Sequence, residues 1–282
     1  TFIWYRNTQR ITDRTVNQLH LRSVSRSDEG NYQCEIRGNN HHLISPAVYI
    51  NVGYPPKSVS VSVSQSGVIV EGDSVTLNCI SDSNPPTLNF SWIKGGMIVG
   101  SGRIFSISNI SSDHSGEYKC RSRNKHGEKD SEAVKLNVMY RPRIVSVSVS
   151  RSGVIVEGDS VTLNCISDSN PPAEISWIKG GMILQSGDTY SITNIKSEAS
   201  GKYYCSARNK HGSRTSASVN VNVMYPPQNV SVSVSPSGVI VEGDSVTLNC
   251  ISDSNPPALN FSWFKENETS AVGSGQFQHL QL

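Results

Sequence analysis

The sequence predicts an all-β chain, a tandem array of one small two-sheet sandwich with two copies complete and two truncated. Three observations predict it. The twenty residues GVIVEGDSVTLNCISDSNPP occur unchanged at 67–86, 153–172 and 238–257, at offsets of 86 and 85 residues, which is the size of one small all-β domain. Apolar and polar residues alternate with period two in short runs, and no helical period competes with them. Six cysteines recur in two contexts: Cys79, Cys165 and Cys250 in one, Cys34, Cys120 and Cys205 in the other. A fixed period overrides any domain count taken from length alone.

Each repeat opens on strict alternation, as in Ser60-Val61-Ser62-Val63-Ser64, which puts valines on one face and serines on the other. In the next strand Val75, Leu77 and Cys79 point inward. After the Asn84-Pro85-Pro86 turn, Phe90 and Trp92 do the same. A further strand spaces Phe105, Ile107 and Ile110, matched by Tyr190, Ile192 and Ile195 and by Leu19, Leu21 and Val24. Then come Gly116-Glu117-Tyr118-Lys119-Cys120 and a closing strand with Val134, Leu136 and Val138. Boundaries fall at Tyr54-Pro55-Pro56, Tyr140-Arg141-Pro142 and Tyr225-Pro226-Pro227, dividing the chain into 1–53, 54–139, 140–224 and 225–282. No Gly/Ser-rich spacer intervenes and proline restricts each joint, so a semi-rigid rod is expected. The chain is expected to start and stop inside a domain, leaving only 54–139 and 140–224 complete.

Trp92, Trp177 and Trp263 follow their cysteines by twelve or thirteen residues, and Trp4 takes the same role in the first segment. Tyr32, Tyr118 and Tyr203 each stand two residues before a cysteine. Cysteine, tryptophan, then Tyr-x-Cys is the immunoglobulin pattern, in which the tryptophan packs on an inter-sheet disulfide and the tyrosine forms a corner. Trp92 to Cys120 and Trp177 to Cys205 both span 28 residues. That is too short for the two extra strands of a variable-type domain, so the modules read as C2 or I type.

Formal charge is only +2 with scattered lysine and arginine, so neither nucleic acid nor an anionic membrane surface is an implied partner. No run approaches the ~18 apolar residues of a membrane span, and no basic-then-apolar leader opens the sequence. The simplest pairing joins Cys79 to Cys120 and Cys165 to Cys205, 41 and 40 residues apart, with the partners of Cys34 and Cys250 outside this sequence. Disulfides imply an oxidising, extracellular setting. The alternative is six reduced core thiols.

Catalytic and metal spacings are absent: no Gly-x-Ser-x-Gly elbow, phosphate loop, His-Glu-x-x-His or Cys-x-x-Cys. An enzyme is therefore not expected, nor any cofactor or metal. Gly100-Ser101-Gly102 reads as a turn, and His41-His42 as an exposed loop pair without a third ligand. His126 and His211 recur in Asn-Lys-His-Gly, which suits a hairpin turn with positive φ. Asn-x-Ser/Thr sequons stand at Asn89, Asn109, Asn229, Asn260 and Asn267. Asn89 and Asn260 alternate with inward Phe90 and Phe261, so they should face solvent as a glycan requires. The segment 140–224 has none, showing Glu174-Ile175-Ser176 and Asn194-Ile195-Lys196 instead, which is read either as drift or as a face left free for lateral packing.

Tyr-Pro-Pro, Ser-Val-Ser-Val-Ser, Val-Glu-Gly-Asp-Ser-Val-Thr-Leu-Asn-Cys, Ser-Asp-Ser-Asn-Pro-Pro and Ser-Trp-x-Lys together resemble the constant-type repeats of the sialic-acid-binding immunoglobulin-like lectins. The resemblance covers 54–282, and 1–53 only as a generic immunoglobulin half-domain. It implies the ectodomain stalk of a type I cell-surface receptor, in adhesion or recognition, with inhibitory B-cell signalling through parts outside this sequence. The implied partners are sialylated glycans or other cell-surface glycoproteins, bound through a domain not present here, and a receptor on the same cell in cis. No residue here inherits the family's lectin arginine, and Arg37, lying beyond Cys34, is not assigned that role. The acidic position six residues before the second cysteine is kept at Asp28 but is His114 and Ala199 in the complete modules, which puts the usual strand-linking ion pair in doubt there. A secreted or shed adhesion protein without signalling is the alternative.

Overall fold

The computed structural model describes residues 1–12, 16–39 and 41–281. They divide into two compact units, Thr1–Met139 and Tyr140–Leu282. Among the described residues the regular structure is β-strand, apart from three single 3-10 turns.

In the first unit, residues 54–139 build a complete two-sheet sandwich. One sheet has the order Ile104–Ile107, Val75–Asn84, Tyr54–Val63. The other runs Met97–Ser101, Asn89–Lys94, Gly116–Asn124, Gly127–Asp130, and Val134–Leu136 also pairs with the Gly116–Asn124 strand. The expected inward set is where alternation put it: Val75, Leu77, Cys79, Trp92, Cys120 and Val138 are wholly buried. Val59, Val61 and Val63 pack on this core from the opening strand. A short strand, Ile69–Val70, pairs in parallel with Val138 and Met139 and ties the start of the sandwich to its close.

The sandwich of 140–224 repeats this plan. Residues 140–149 pair with Val161–Asn170, which also pairs with Thr189–Ile192. The second sheet is Met182–Ser186, Glu174–Lys179, Gly201–Asn209, Gly212–Thr215, with Val219–Val221 on the Gly201–Asn209 strand. Disulfides join Cys79 to Cys120 and Cys165 to Cys205 across the two cores.

Each core holds an aromatic run that the cysteine spacing alone did not announce. Trp92, Phe105 and Tyr118 pack in sequence at centroid separations of 5.8 and 6.1 Å, and Trp177, Tyr190 and Tyr203 at 6.2 and 6.0 Å, the first pair stacked and the others tilted. The tyrosines then turn their hydroxyls back on the chain four residues upstream. Tyr32 donates to the Asp28 carbonyl at 2.7 Å, Tyr118 to that of His114 at 2.9 Å, and Tyr203 to that of Ala199 at 2.7 Å.

Residues 1–53 form one five-stranded sheet, Gln9–Thr12, Phe2–Arg6, Gly30–Gly38, His41–Ile44, with Val48–Ile50 also on Gly30–Gly38. Trp4 and Cys34 are only half-buried here, because among the described residues no second sheet covers their face. The strand expected at Leu19, Leu21 and Val24 does not form. The complete sandwiches pair that strand with Val75–Asn84 or Val161–Asn170, which have no counterpart within 1–53. Leu19 and Leu21 are half-buried and Val24 is exposed. Residues 225–281 give the strands Ser245–Asn255, Ser262–Trp263, Gly273–Ser274 and Phe277–Gln281, with Trp263 buried and Cys250 half-buried.

Candidate functional site

In a repeat array the chemistry sits at the joints and on the outward faces. The joint in the first unit is built by the duplicated Ser-Asp-Ser-Asn-Pro-Pro, which closes the strand Val75–Asn84. Asn84 donates through Nδ2 to the Val52 carbonyl at 2.9 Å and to Asn51 Oδ1. Asp82 accepts from Arg26 Nη1 at 2.7 Å and from the Tyr54 hydroxyl at 3.2 Å. The Arg26 guanidinium also lies 5.4 Å from the centre of the Tyr54 ring, within cation–π range. Burial first, and then the Asp82 carboxylate, push the Tyr54 phenol above its ordinary pKa. Gly53 permits the close approach: a Cβ there would lie 2.4 Å from His126 Nε2.

The second unit repeats the arrangement with the same residues of the repeat. Asn255 Nδ2 donates to Asn222 Oδ1 at 2.7 Å and to the Val223 carbonyl at 2.8 Å, while the Tyr225 hydroxyl donates to Asp253 at 2.8 Å. That bond to the carboxylate raises the Tyr225 pKa. The strand Val223–Ser235 passes from one module into the next without a break.

The Asn-Lys-His-Gly segments are hairpin turns, closed by Asn124 opposite Gly127 and Asn209 opposite Gly212. Positive φ falls at the glycines only, not at the asparagines. The asparagine amides do something else. Asn124 Nδ2 donates to the carbonyls of Tyr54 at 2.8 Å and Pro85 at 3.1 Å, and Asn209 Nδ2 to those of Tyr140 at 2.9 Å and Pro171 at 3.0 Å. Each hairpin thus holds the first residue of its own sandwich.

The acidic position before the second cysteine shows three solutions. Asp28 accepts from the Ser25 amide at 2.8 Å and lies 3.7 Å from Arg6. His114 Nδ1 accepts from the Ser111 amide at 3.0 Å, taking over the capping role. In the third case Glu157 accepts from the Ser197 amide at 2.9 Å. Lys94 and Lys179 reach the carbonyls of Asp113 and Glu198 and sit over Tyr118 and Tyr203.

His41-His42 is a strand, His41–Ile44, rather than a loop, because it pairs back onto Gly30–Gly38. His42 Nε2 lies 2.6 Å from Glu35, a carboxylate only 1% exposed that also accepts from Tyr5 and Arg37. Those two hydrogen bonds hold the Glu35 pKa below the usual carboxylate range, and the same contact raises that of Tyr5. No sequence signal pointed to this cluster, since its members are brought together by cross-strand register. Among the described residues no group of three His, Cys, Asp or Glu side chains is placed to hold a metal.

The sequon asparagines Asn89, Asn109, Asn229, Asn260 and Asn267 are all solvent-exposed. Asn109, Asn229 and Asn267 sit at positive φ, Asn109 and Asn267 between strands and Asn229 at a register irregularity within the strand Val223–Ser235. Among the described residues Cys34 and Cys250 form no disulfide.

A protein-family model described as "Immunoglobulin domain" matches residues 57–138 and 141–223. The chain belongs to the immunoglobulin-domain family. This immunoglobulin chain is 34% identical over 287 residues to the mouse B-cell receptor CD22, covering 99% of the chain and 33% of the relative. It is 31% identical over 242 residues to human myelin-associated glycoprotein, covering 82% of the chain and 37% of the relative. The chain thus spans about a third of the length of these curated relatives. The ectodomain of mouse nectin-like molecule 4 (Ig1–Ig3) superposes with a TM-score of 0.56 at 22% identity, covering 85% of this chain and 91% of that one, a likeness of fold alone. No helix among the described residues is long and apolar enough to cross a membrane.

Proposed function

We propose that this chain is part of the extracellular stalk of a cell-surface immunoglobulin-superfamily receptor of the sialic-acid-binding lectin type. Its work is geometric. Modules 1–53, 54–139, 140–224 and 225–282 space a recognition domain from the membrane, and glycans on Asn89, Asn109, Asn229, Asn260 and Asn267 keep the flanks clear. Adhesion or recognition of sialylated glycans and cell-surface glycoproteins, and inhibitory signalling in B cells, belong to the whole receptor. The observation that carries this reading is the joint, where the repeated Asn bonds the closing backbone of the preceding module in both units, at Val52 and at Val223. A joint so tied transmits position, which a spacer needs and a tethered pair of independent binders does not. The 34% identity to a protein named as a B-cell receptor supports the receptor class.

The full-length transcript tests it. A variable-type domain upstream, with a membrane helix and tail tyrosines downstream, is the expected result. A stop codon soon after the last module without an apolar span would make the protein a secreted adhesion molecule instead.

A further inference from the structure

The outward sheet faces of 54–139 and 140–224 can be compared position by position, because the two modules share one register. With Tyr203 and Cys205 buried, alternation turns Lys202, Tyr204, Ser206 and Arg208 outward. Tyr204 stands opposite Ile178, which stands opposite Ile183, and Ser206 stands between Ser176 and Thr215. In 54–139 the row matching Tyr204 holds Lys119 opposite Ile93, and the row matching Ser206 and Thr215 holds Arg121 and Asp130. Arg121 and Asp130 form a solvated two-point ion pair at 2.6 and 3.0 Å. The face of 140–224 has thus exchanged a lysine for a tyrosine and an ion pair for two hydroxyls. Depletion of charge and enrichment of tyrosine is the composition that marks the centre of a protein interface. The apolar hairpin tip beside it stays open, with Met182 69% and Ile183 70% exposed. The sequon changes as well: Glu174 occupies the place of Asn89 and Asn260, so on the glycan reading above, on which this clause rests, this one face carries no sugar.

We propose that two copies of this chain pair side by side through the outward face of 140–224. Its charges indicate a copy of itself as the occupant. Lys202 lies at one end of the face and Glu174, beside Arg208, at the other, about 20 Å apart along the strand. A two-fold axis between them sets each Lys202 on the other copy's Glu174, with the Tyr204–Ile178–Ile183 row against the hydroxyl row. Four strands of that length offer roughly 300 Å² of flat face per copy, about 600 Å² in total and below the ~1,200 Å² of stable specific interfaces, so the pairing is transient and suits chains held together at high local density.

Sedimentation velocity of the full glycosylated chain, in a Cys34→Ser/Cys250→Ser background, tests it from about 1 to about 200 µM, the range where so small an interface would titrate. The wild-type sedimentation coefficient is expected to rise with concentration. Tyr204→Lys, which writes the residue the neighbouring module already tolerates, is expected to weaken association about tenfold or more. Glu174→Asn completes a sequon with Ser176 and, once mass spectrometry shows it occupied, should hold the chain monomeric. If the same mass spectrometry finds Asn89 and Asn260 unoccupied the glycan reading fails, while Tyr204→Lys still decides the pairing. A concentration-independent wild type overturns the proposal, as does association that survives both substitutions.

Discussion

Asp73 and Asp159 occupy the same place in two copies of Val-Glu-Gly-Asp, and each folds the turn before the first core strand. Asp73 accepts from the Val70 amide at 2.9 Å and from Gln65 at 3.2 Å, and Asp159 from the Val156 amide at 2.9 Å and Arg151 at 2.8 Å. The backbone amide is the largest cause holding each carboxyl below its ordinary pKa. A depressed folded pKa adds stability above the unfolded value, near about 3.9, and that contribution is lost as pH falls through the folded value. Asp73→Asn and Asp159→Asn should therefore melt lower than wild type at pH 7. Their melting curves should converge on wild type in acid, as calorimetry across pH 7 to about 2 would show; parallel curves would contradict the turn's role. Tyr118 supports a second test at this scale. Its ring is 2% exposed and its hydroxyl serves the His114 carbonyl, so Tyr118→Phe keeps the packing and loses about 1 kcal/mol. Chemical denaturation with an unchanged m-value is the expected signature.

Single elements show how much of this was legible. Strands such as Val75–Asn84 were visible because alternation with period two leaves a core face that can be counted along the chain. The strand expected at Leu19–Val24 was not made, because a period promises a buried face but not the neighbour that supplies the ladder. The joints were invisible for a related reason: Asn84 meets Val52 across 32 residues, and no local pattern encodes that meeting. The repeated Ser-Asp-Ser-Asn-Pro-Pro reads locally as a turn and as part of the family resemblance, whereas its Asn and Asp are the joint's bonding groups. His42 was missed likewise, since its carboxylate partner is set by strand register. Gly53 tests the joint. A side chain there must displace His126, so Gly53→Val is expected to speed amide exchange across residues 50–56, leaving the melting of 54–139 near wild type. Unchanged exchange would mean that the two modules are not clamped by this contact.

At the scale of the whole molecule the repeat makes each complete module a closed stability unit. One buried core lies within residues 69–138 and the other within 155–223, and each encloses its own disulfide. Cys79–Cys120 closes a loop of 41 residues, worth about 4 kcal/mol on the loop-entropy account. That is a large share of the roughly 5–15 kcal/mol that holds a domain folded. Replacing both partners, Cys79→Ala with Cys120→Ala, removes the link without leaving an unpaired thiol, and the buried tryptophan beside it loses only part of its packing. The expected calorimetric result is a split trace, in which the 54–139 transition moves down and the 140–224 transition stays in place. Because ΔΔG translates into about 4–8 °C per kcal/mol for a module of this size, the shift should be tens of degrees at most and could leave 54–139 unfolded at 37 °C. Cys165→Ala with Cys205→Ala should produce the mirror image. If either pair moved both transitions together, the modules would be one cooperative body, and the reading of the chain as an array of separately stable spacers would have to be given up.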